Sequence, residues 1–248
     1  MMPALSLPAI IGHRCARAEA PENTLAGLRR AAALGARWVE VDVRLTADGV
    51  PVLLHDDTLE RTTTGRGALA ATTLADLARC DAGGGEPVPT LEAFLGAALG
   101  FGIGVNLELK GEPGDPEALA KAALTTAQRL WPATAPPPLI SSFEPACLAA
   151  AARHAPGWPR GLLLDEIAPG WPETAAAVGA VAIIVNHLCL ASPAAVAALA
   201  ANGRTVAVYT VNDPARARAL LSWGVAAIIS DHPDIFSKSG DRDSSMQK

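Results

Sequence analysis

The stretch Val105-Asn106-Leu107-Glu108-Leu109-Lys110, followed after a short link by Asp115-Pro116 and a run rich in alanine and leucine, decides the fold. Leu107 and Leu109 alternate with Glu108 and Lys110, the period-two pattern of a strand. Asp115 is suited to cap a helix and Pro116 to fill its first turn. The pattern then recurs. Leu139–Phe143 leads to Glu144-Pro145, and Leu162–Leu164 to a helix near Glu173–Val178. Val181–Val185 leads to Ser192-Pro193, Thr205–Thr210 to Asp213-Pro214, and Ala226–Ile229 is the last strand. Such alternation implies parallel strands joined by helical crossovers. Eight units of this kind close into a TIM-type (β/α)8 barrel, with reactive groups at the carboxyl ends of the strands. An open doubly wound sheet would want a glycine-rich phosphate loop after an early strand, and Gly12-His13-Arg14 is not one.

The first half of the chain departs from this rhythm. Ala9–Ile11 is a short apolar run, and Leu25, Leu28 and Ala32 have helical spacing with Gly35 placed to stop it. Trp38–Leu45 and Val50–Leu54 both read as strands, giving nine candidates for eight places. The link between these two is too short for a parallel crossover, so they form a hairpin about Ala47-Asp48-Gly49. A symmetric register sets His55 opposite Glu40 and Leu53 opposite Asp42. The pattern weakens between Asp56 and Pro89, apart from a short helix at Leu74–Ala78. This predicts a small insertion, residues 57–90, that rims the site. Thr90 caps a helix over Leu91–Leu99 that Gly100 ends. The expected organisation is a single barrel domain over residues 1–236 and a disordered tail over residues 237–248.

Half of the residues are apolar, enough to bury a full core in a chain of 248 residues. Aromatics make up only 4%, so Ala, Leu, Val and Ile must build that core. The net charge of −5 and the absence of a Lys/Arg block argue against nucleic acid as the partner. Cys15, Cys80, Cys147 and Cys189 form no Cys-x-x-Cys pair and are expected as reduced thiols. There is no basic region at the start of the chain and no apolar run long enough to span a bilayer, so no stable membrane insertion is expected. The expectation is a cytoplasmic protein, monomer or homodimer.

The chemistry-bearing residues gather where strands end. Glu40 and Asp42 are two apart, so their carboxylates share one face of a strand, with Val39, Val41 and Val43 on the other. A divalent cation would resolve their repulsion and accepts hard oxygen ligands; a solvated strand face is the alternative. Glu108 and Lys110 repeat the device, as a third metal carboxylate and a phosphate contact, or as an internal salt bridge. His13 is suited to proton transfer and Arg14 to gripping two phosphate oxygens. His55 precedes Asp56, which is placed to orient it. His154 is expected on the surface, while His187 and His232 follow strands and can reach the rim.

These motifs resemble the glycerophosphodiester phosphodiesterases. The resemblance rests on Gly12-His13-Arg14, Ala20-Pro21-Glu22-Asn23-Thr24, Glu40-Val41-Asp42, Asp48-Gly49-Val50-Pro51-Val52, His55-Asp56, and Leu59 with Arg61-Thr62-Thr63. It continues through Glu108-Leu109-Lys110, Ser142-Phe143, Thr210-Val211-Asn212 and Ser230-Asp231-His232-Pro233, so it covers residues 10–233. It implies a β/α barrel that hydrolyses glycerophosphodiesters, small-molecule substrates, to glycerol 3-phosphate and an alcohol. It implies Glu40, Asp42 and Glu108 as ligands of one Mg²⁺ or Ca²⁺ and His13 and His55 as the catalytic pair. Arg14 and Lys110 would contact phosphate, with Glu22 in support. Two positions depart from the family pattern. Cys15 stands where glycine is usual and is expected to add a spectator thiol beside the phosphate. Tyr209 stands where tryptophan is usual, keeping an apolar face for the glycerol backbone but adding a hydroxyl that needs a partner.

Three rival readings remain. One is a related phosphodiesterase acting on a lysophospholipid, sphingolipid or phosphoinositide, which an exposed apolar rim around the insertion would favour. Another is a phosphosugar isomerase or aldolase, but the late strands lack the glycine pair that usually cradles phosphate there. The third is a non-catalytic phosphoglycerol-binding protein, which would not need paired proton-transfer groups.

Overall fold

The computed structural model describes residues 5–111 and 113–237. Its strands are β1 (Ile10–Gly12), β2 (Trp38–Leu45), β3 (Pro51–Leu53), β4 (Gly104–Leu109), β5 (Leu139–Ser142), β6 (Arg160–Leu164), β7 (Ala182–Asn186), β8 (Thr205–Tyr209) and β9 (Ala227–Ser230). The α-helices are α1 (Leu25–Ala33), α2 (Leu74–Leu77), α3 (Leu91–Phe101), α4 (Pro116–Leu130), α5 (Pro145–His154), α6 (Trp171–Ala177), α7 (Pro193–Leu199) and α8 (Pro214–Ser222). All strands except β3 run parallel, in the order β1-β9-β8-β7-β6-β5-β4-β2, and the β1–β2 pairing closes the ring. The eight-stranded parallel barrel read from the alternating pattern is therefore the observed fold. The expected tail lies, but for Ser237, outside the described residues.

Local chemistry sets the helix starts. Thr24, Thr90, Asp115 and Asp213 accept hydrogen bonds from backbone amides in the first turns of α1, α3, α4 and α8. Proline occupies the first turn of α4, α5, α6, α7 and α8. α3 runs past Gly100, contrary to expectation, and stops at Gly102. Gly102 adopts a left-handed φ of 67° and returns its amide to Ala98 and Leu99. Glycine inside a helix costs only about 1 kcal/mol, so Gly100 is not obliged to break it.

The hairpin forms as expected, but its register is shifted. Leu53 pairs with Val43 rather than Asp42. The pairs centre on Asp48, as a three-residue loop over Ala47-Asp48-Gly49 requires, and not between Ala47 and Asp48; the Gly49 amide bonds to the Thr46 carbonyl and Gly49 takes a φ of 76°. β3 then ends at Leu53, so no strand pairing sets His55 opposite Glu40.

Two apolar layers lie between barrel and helices. One gathers Val39, Val41 and Val43 with Phe94, Leu95 and Leu124, and the other gathers Ile183, Val185 and Val208 with Leu148, Val196 and Leu220. The lumen is divided. Ile11, Leu163, Ile184, Ala207 and Ile229 form an apolar cluster. The wall made by β2, β4 and β5 carries buried Glu40, Asp42, Asn106, Glu108 and Ser141. The excursion after β3 has its own small core of Val52, Leu54, Leu59, Leu69 and Leu77.

Trp38 lies across Gly104 at the amino end of this lumen. A Cβ at Gly104 would sit 2.4 Å from the Trp38 ring. Gly104→Ala is expected to destabilise the fold by about 1–3 kcal/mol through overpacking. The check is a lower urea midpoint with an unchanged slope; an unchanged midpoint contradicts this packing.

Candidate active site

The β2–β4 register sets Asp42 beside Glu108 and Glu40 beside Asn106. Because inward side chains repeat every second residue, the three carboxylates converge on one point at the carboxyl end of the barrel. Ligand atoms of Glu40, Asp42 and Glu108 lie within 4.8 Å of one another, and all three residues are buried. Such hard oxygen donors suit a divalent cation, and Glu40 Oε1 has no hydrogen-bond partner. The strand-face pair is thus not solvated.

Burial, then the charges of Asp42 and Glu108, pushes the Glu40 carboxyl well above its ordinary range. Burial, then Asp42, also raises Glu108. Burial opposes the Asp42 charge too, but Lys110 and Arg14 hold that carboxyl down at about 2. Lys110 Nζ stands 3.2 Å from Asp42 Oδ1 and also binds Glu108. Arg14 Nε is 3.3 Å from Asp42 Oδ2, and its Nη1 donates to Glu22 Oε1 at 2.8 Å. The Arg14 amide donates to Glu40 Oε2. The salt bridge weighed for Glu108 and Lys110 therefore exists, and Asp42 is part of it.

Each histidine is held by a carboxylate. His13 follows β1, and its Nδ1 is 2.6 Å from Asp231 Oδ1 just after β9. Hydrogen bonds from His13 and Asn212 overcome burial and bring Asp231 down to about 2. An ionised Asp231 only accepts, so His13 Nδ1 carries the proton. Arg14 Nε donates to His13 Nε2 at 3.2 Å, leaving the lone pair on Nε2. His55 Nδ1 is 2.7 Å from Asp56 Oδ1, the partner the sequence offers. Burial lowers the His55 pKa against the pull of Asp42.

Glu22 is at the hub of an arginine network. Arg14, Arg17 and Arg61 all bind it, and burial notwithstanding, Arg61 and Arg14 bring its carboxyl down to about 2. Arg61 also forks onto Asp56 through Nε and Nη2. Tyr209 finds its partners in the Leu164 carbonyl and Asp165, at 3.1 and 3.3 Å, and meets the Phe143 ring edge-on at 5.7 Å. His154 binds Glu117, and His187 contacts Arg216.

Cys15 corrects an expectation. It is buried in the apolar layer with Leu28 and Ala31, not beside the phosphate contacts, and its backbone has a left-handed φ of 79°. Burial pushes its thiol well up, so it stays neutral. The apolar rim also lies elsewhere than on the insertion. Phe143, Ile167 and Leu188 are exposed just beyond the carboxyl ends of β5, β6 and β7.

Sequence reasoning gave no role to Asn23, Arg61, Asn212 or Asp231. Asn23 Nδ2 donates to Asp42 Oδ2 at 2.8 Å, and the Asp42 amide donates back to Asn23 Oδ1. Asn23 holds a left-handed φ of 56° next to the cap Thr24. The alternation Ile229, Asp231 was the signal available for Asp231, since it extends the inward face of β9 by one residue.

Residues 13–235 match the Glycerophosphoryl diester phosphodiesterase family. A glycerophosphodiester phosphodiesterase of Bacillus subtilis is 31% identical, covering 92% of this chain and 85% of its own. An Oleispira antarctica phosphodiesterase, solved in complex with the product sn-glycerol-3-phosphate, is 35% identical and superimposes with a TM-score of 0.90 over 94% of this chain and 96% of that one. A glycerophosphodiester phosphodiesterase from Agrobacterium tumefaciens, 32% identical, covers 94% of this chain and all of that one with a TM-score of 0.79. With barrel, acid cluster and paired histidines in place, the chain belongs to the glycerophosphoryl diester phosphodiesterase family.

Proposed function

We propose that the barrel, residues 1–236, is a cytoplasmic enzyme hydrolysing glycerophosphodiesters to glycerol 3-phosphate and an alcohol. The observation that carries this reading is the trio of buried carboxylates beside two histidines, each tied through Nδ1 to an aspartate. Glu40, Asp42 and Glu108 would hold one Mg²⁺ or Ca²⁺. When bound, the cation supplies Lewis acidity to a phosphoryl oxygen and an adjacent glycerol hydroxyl.

The remaining steps belong to the chain. One imidazole accepts the proton of the glycerol hydroxyl as its oxygen bonds to phosphorus. The other, entering the step with protons on both ring nitrogens, gives its Nε2 proton to the leaving alcohol oxygen as the P–O bond breaks, producing a cyclic phosphodiester. Water then opens the ring, with the two histidines exchanging roles. Asp231 and Asp56 fix the Nδ1 protons and leave each Nε2 for the reaction. Arg14 and Lys110 offset charge growing on the non-bridging oxygens. Glu22 keeps Arg14 in place, and Tyr209 offers a ring face to the glycerol backbone. Among the described residues no helix is long and apolar enough to cross a membrane.

The exposed Phe143, Ile167 and Leu188 favour a second reading, in which the substrate carries an apolar part, as in a lysophospholipid.

His13→Ala and His55→Ala are each expected to lower kcat by roughly 10²–10⁴ in a glycerol 3-phosphate release assay. Unchanged rates in both variants sink the two-histidine scheme. Leu188→Ser is expected to raise KM for lysophosphatidylcholine and not for glycerophosphocholine; equal effects on both rule out the apolar reading.

Cation binding should also depend on pH. Glu40 and Glu108 have raised pKa values, so the cation-free fold binds more protons than the unfolded chain. Their contribution to stability is present below the unfolded carboxyl value of about 4.3 and is lost as pH rises through the folded values. A cation replaces those protons. The increase in Tm caused by Mg²⁺ should therefore be larger at pH 8 than at pH 5, read by differential scanning fluorimetry. An increment that does not change with pH contradicts the ligand assignment.

A further inference from the structure

Part of the lumen wall takes no part in the steps above. Asn106 lies beside Glu40 in the β2–β4 register and is 1% exposed. Neither its Oδ1 nor its Nδ2 has a hydrogen-bond partner. Ser141 stands beside Glu108 in the β4–β5 register, is 0% exposed, and its Oγ is likewise unpartnered. Glu40 Oε1 is the fourth such atom, while Glu40 Oε2 takes the Arg14 amide. All four belong to inward residues of the neighbouring strands β2, β4 and β5, at or just below the level of the acid cluster.

Buried polar atoms in folded proteins almost always find partners. This set is chemically mixed. Asn106 Nδ2 donates, Asn106 Oδ1 and an ionised Glu40 Oε1 accept, and the Ser141 hydroxyl does either. A second cation would meet the Asn106 amide donor, and an anion would meet Glu40. A water molecule, which donates and accepts and needs two to four polar partners, matches the whole set. Asn106 stands at the height of Glu40, but its side chain is one methylene shorter than that of Glu40, and so reaches less far towards the cation.

We propose that Glu40 Oε1, Asn106 and Ser141 bind one ordered water that steadies the Glu40 carboxylate and thereby raises the affinity of the acid cluster for its cation. Asn106 and Ser141 are positioning residues in this scheme, acting through Glu40. The inference rests on the cation-dependent reading of the site. Outer partners of metal ligands typically account for 10–100-fold in metal affinity.

The test is calorimetric titration of the full chain with Mg²⁺, as wild type and as Asn106→Leu, Ser141→Ala and Glu108→Gln. Asn106→Leu keeps the side-chain shape and removes its polar atoms. It is expected to weaken Mg²⁺ binding by about 10–100-fold. Ser141→Ala is expected to weaken binding by about tenfold. Wild-type affinity in Asn106→Leu overturns the proposal. Should that variant fail to fold, wild-type affinity in Ser141→Ala overturns it instead. A crystal structure with Mg²⁺ should show a water touching Glu40, Asn106 and Ser141; a dry gap, or Asn106 on the ion itself, also overturns it. Equal binding by wild type and Glu108→Gln would instead sink the cation reading, a result distinct from equal binding by wild type and Asn106→Leu.

Discussion

The parallel pairing of β2 with β4 places Asp42 and Glu108 on adjacent strands at the same height, with Glu40 one inward position below. Like charges about 4 Å apart repel by about 4 kcal/mol at an effective dielectric of about 20. Three buried acids in mutual reach therefore cannot all ionise without help. The fold supplies partial help through Lys110 and Arg14, which both reach Asp42. Asp42 is consequently the acid held low, while Glu40 and Glu108 are raised. The remaining charge deficit is what fits this wall of the lumen to a divalent cation rather than to a salt-bridged core.

Around that deficit the chain spends backbone strain. Arg14, Cys15 and Asn23 adopt left-handed φ values of 46°, 79° and 56°, each of a kind that costs on the order of 1–3 kcal/mol in residues other than glycine. All three lie in the β1–α1 connection. Turned this way, the chain presents the Arg14 amide to Glu40 and the Asn23 side chain to Asp42. The Cys15 side chain goes the other way, into the apolar layer under α1. A residue that departs from the family's usual glycine thus meets no substrate. Its cost is borne by the backbone and offset by burial of the side chain.

Much of this was legible in the residues because parallel strands and prolines leave strong marks. Alternation gave the shared face of Glu40 with Asp42 and of Glu108 with Lys110, and Asp-Pro or Ser-Pro pairs gave the starts of α4, α7 and α8. The convergence of β2 with β4 was not legible, since strand order in space is not written in local pattern. The resemblance implied the three-carboxylate set, and the closed sheet accounts for it. The hairpin register failed for a local reason. The observed pairs centre on Asp48, the middle of the three-residue loop, whereas pairing Leu53 with Asp42 centres between Ala47 and Asp48 and so fits a two-residue loop. Asp231 was passed over because its partner, His13, lies at the other end of the chain and becomes its neighbour only when β1 and β9 pair.

The lumen is divided between a charged wall and an apolar one. The three acids and both histidines come from β2, β4 and the segments after β1 and β3, and Arg61 and Glu22 link the loops among them. Those positions are tied by charge-assisted hydrogen bonds, so a change at one leaves a buried charge unpaired at the next. Beyond β5 to β8 the lumen beneath is apolar, and the residues above it are Phe143, Ile167, Leu188 and Tyr209. There Tyr209 and Asn186 are tied to Asp165, and His187 to Arg216. Exchanging Ile167 or Leu188 alters an exposed apolar surface without removing a partner of the ionic network, whereas the Phe143 ring lies 5.8 Å from Lys110 Nζ. Charged groups and exposed apolar side chains therefore occupy opposite arcs of the same ring of strands.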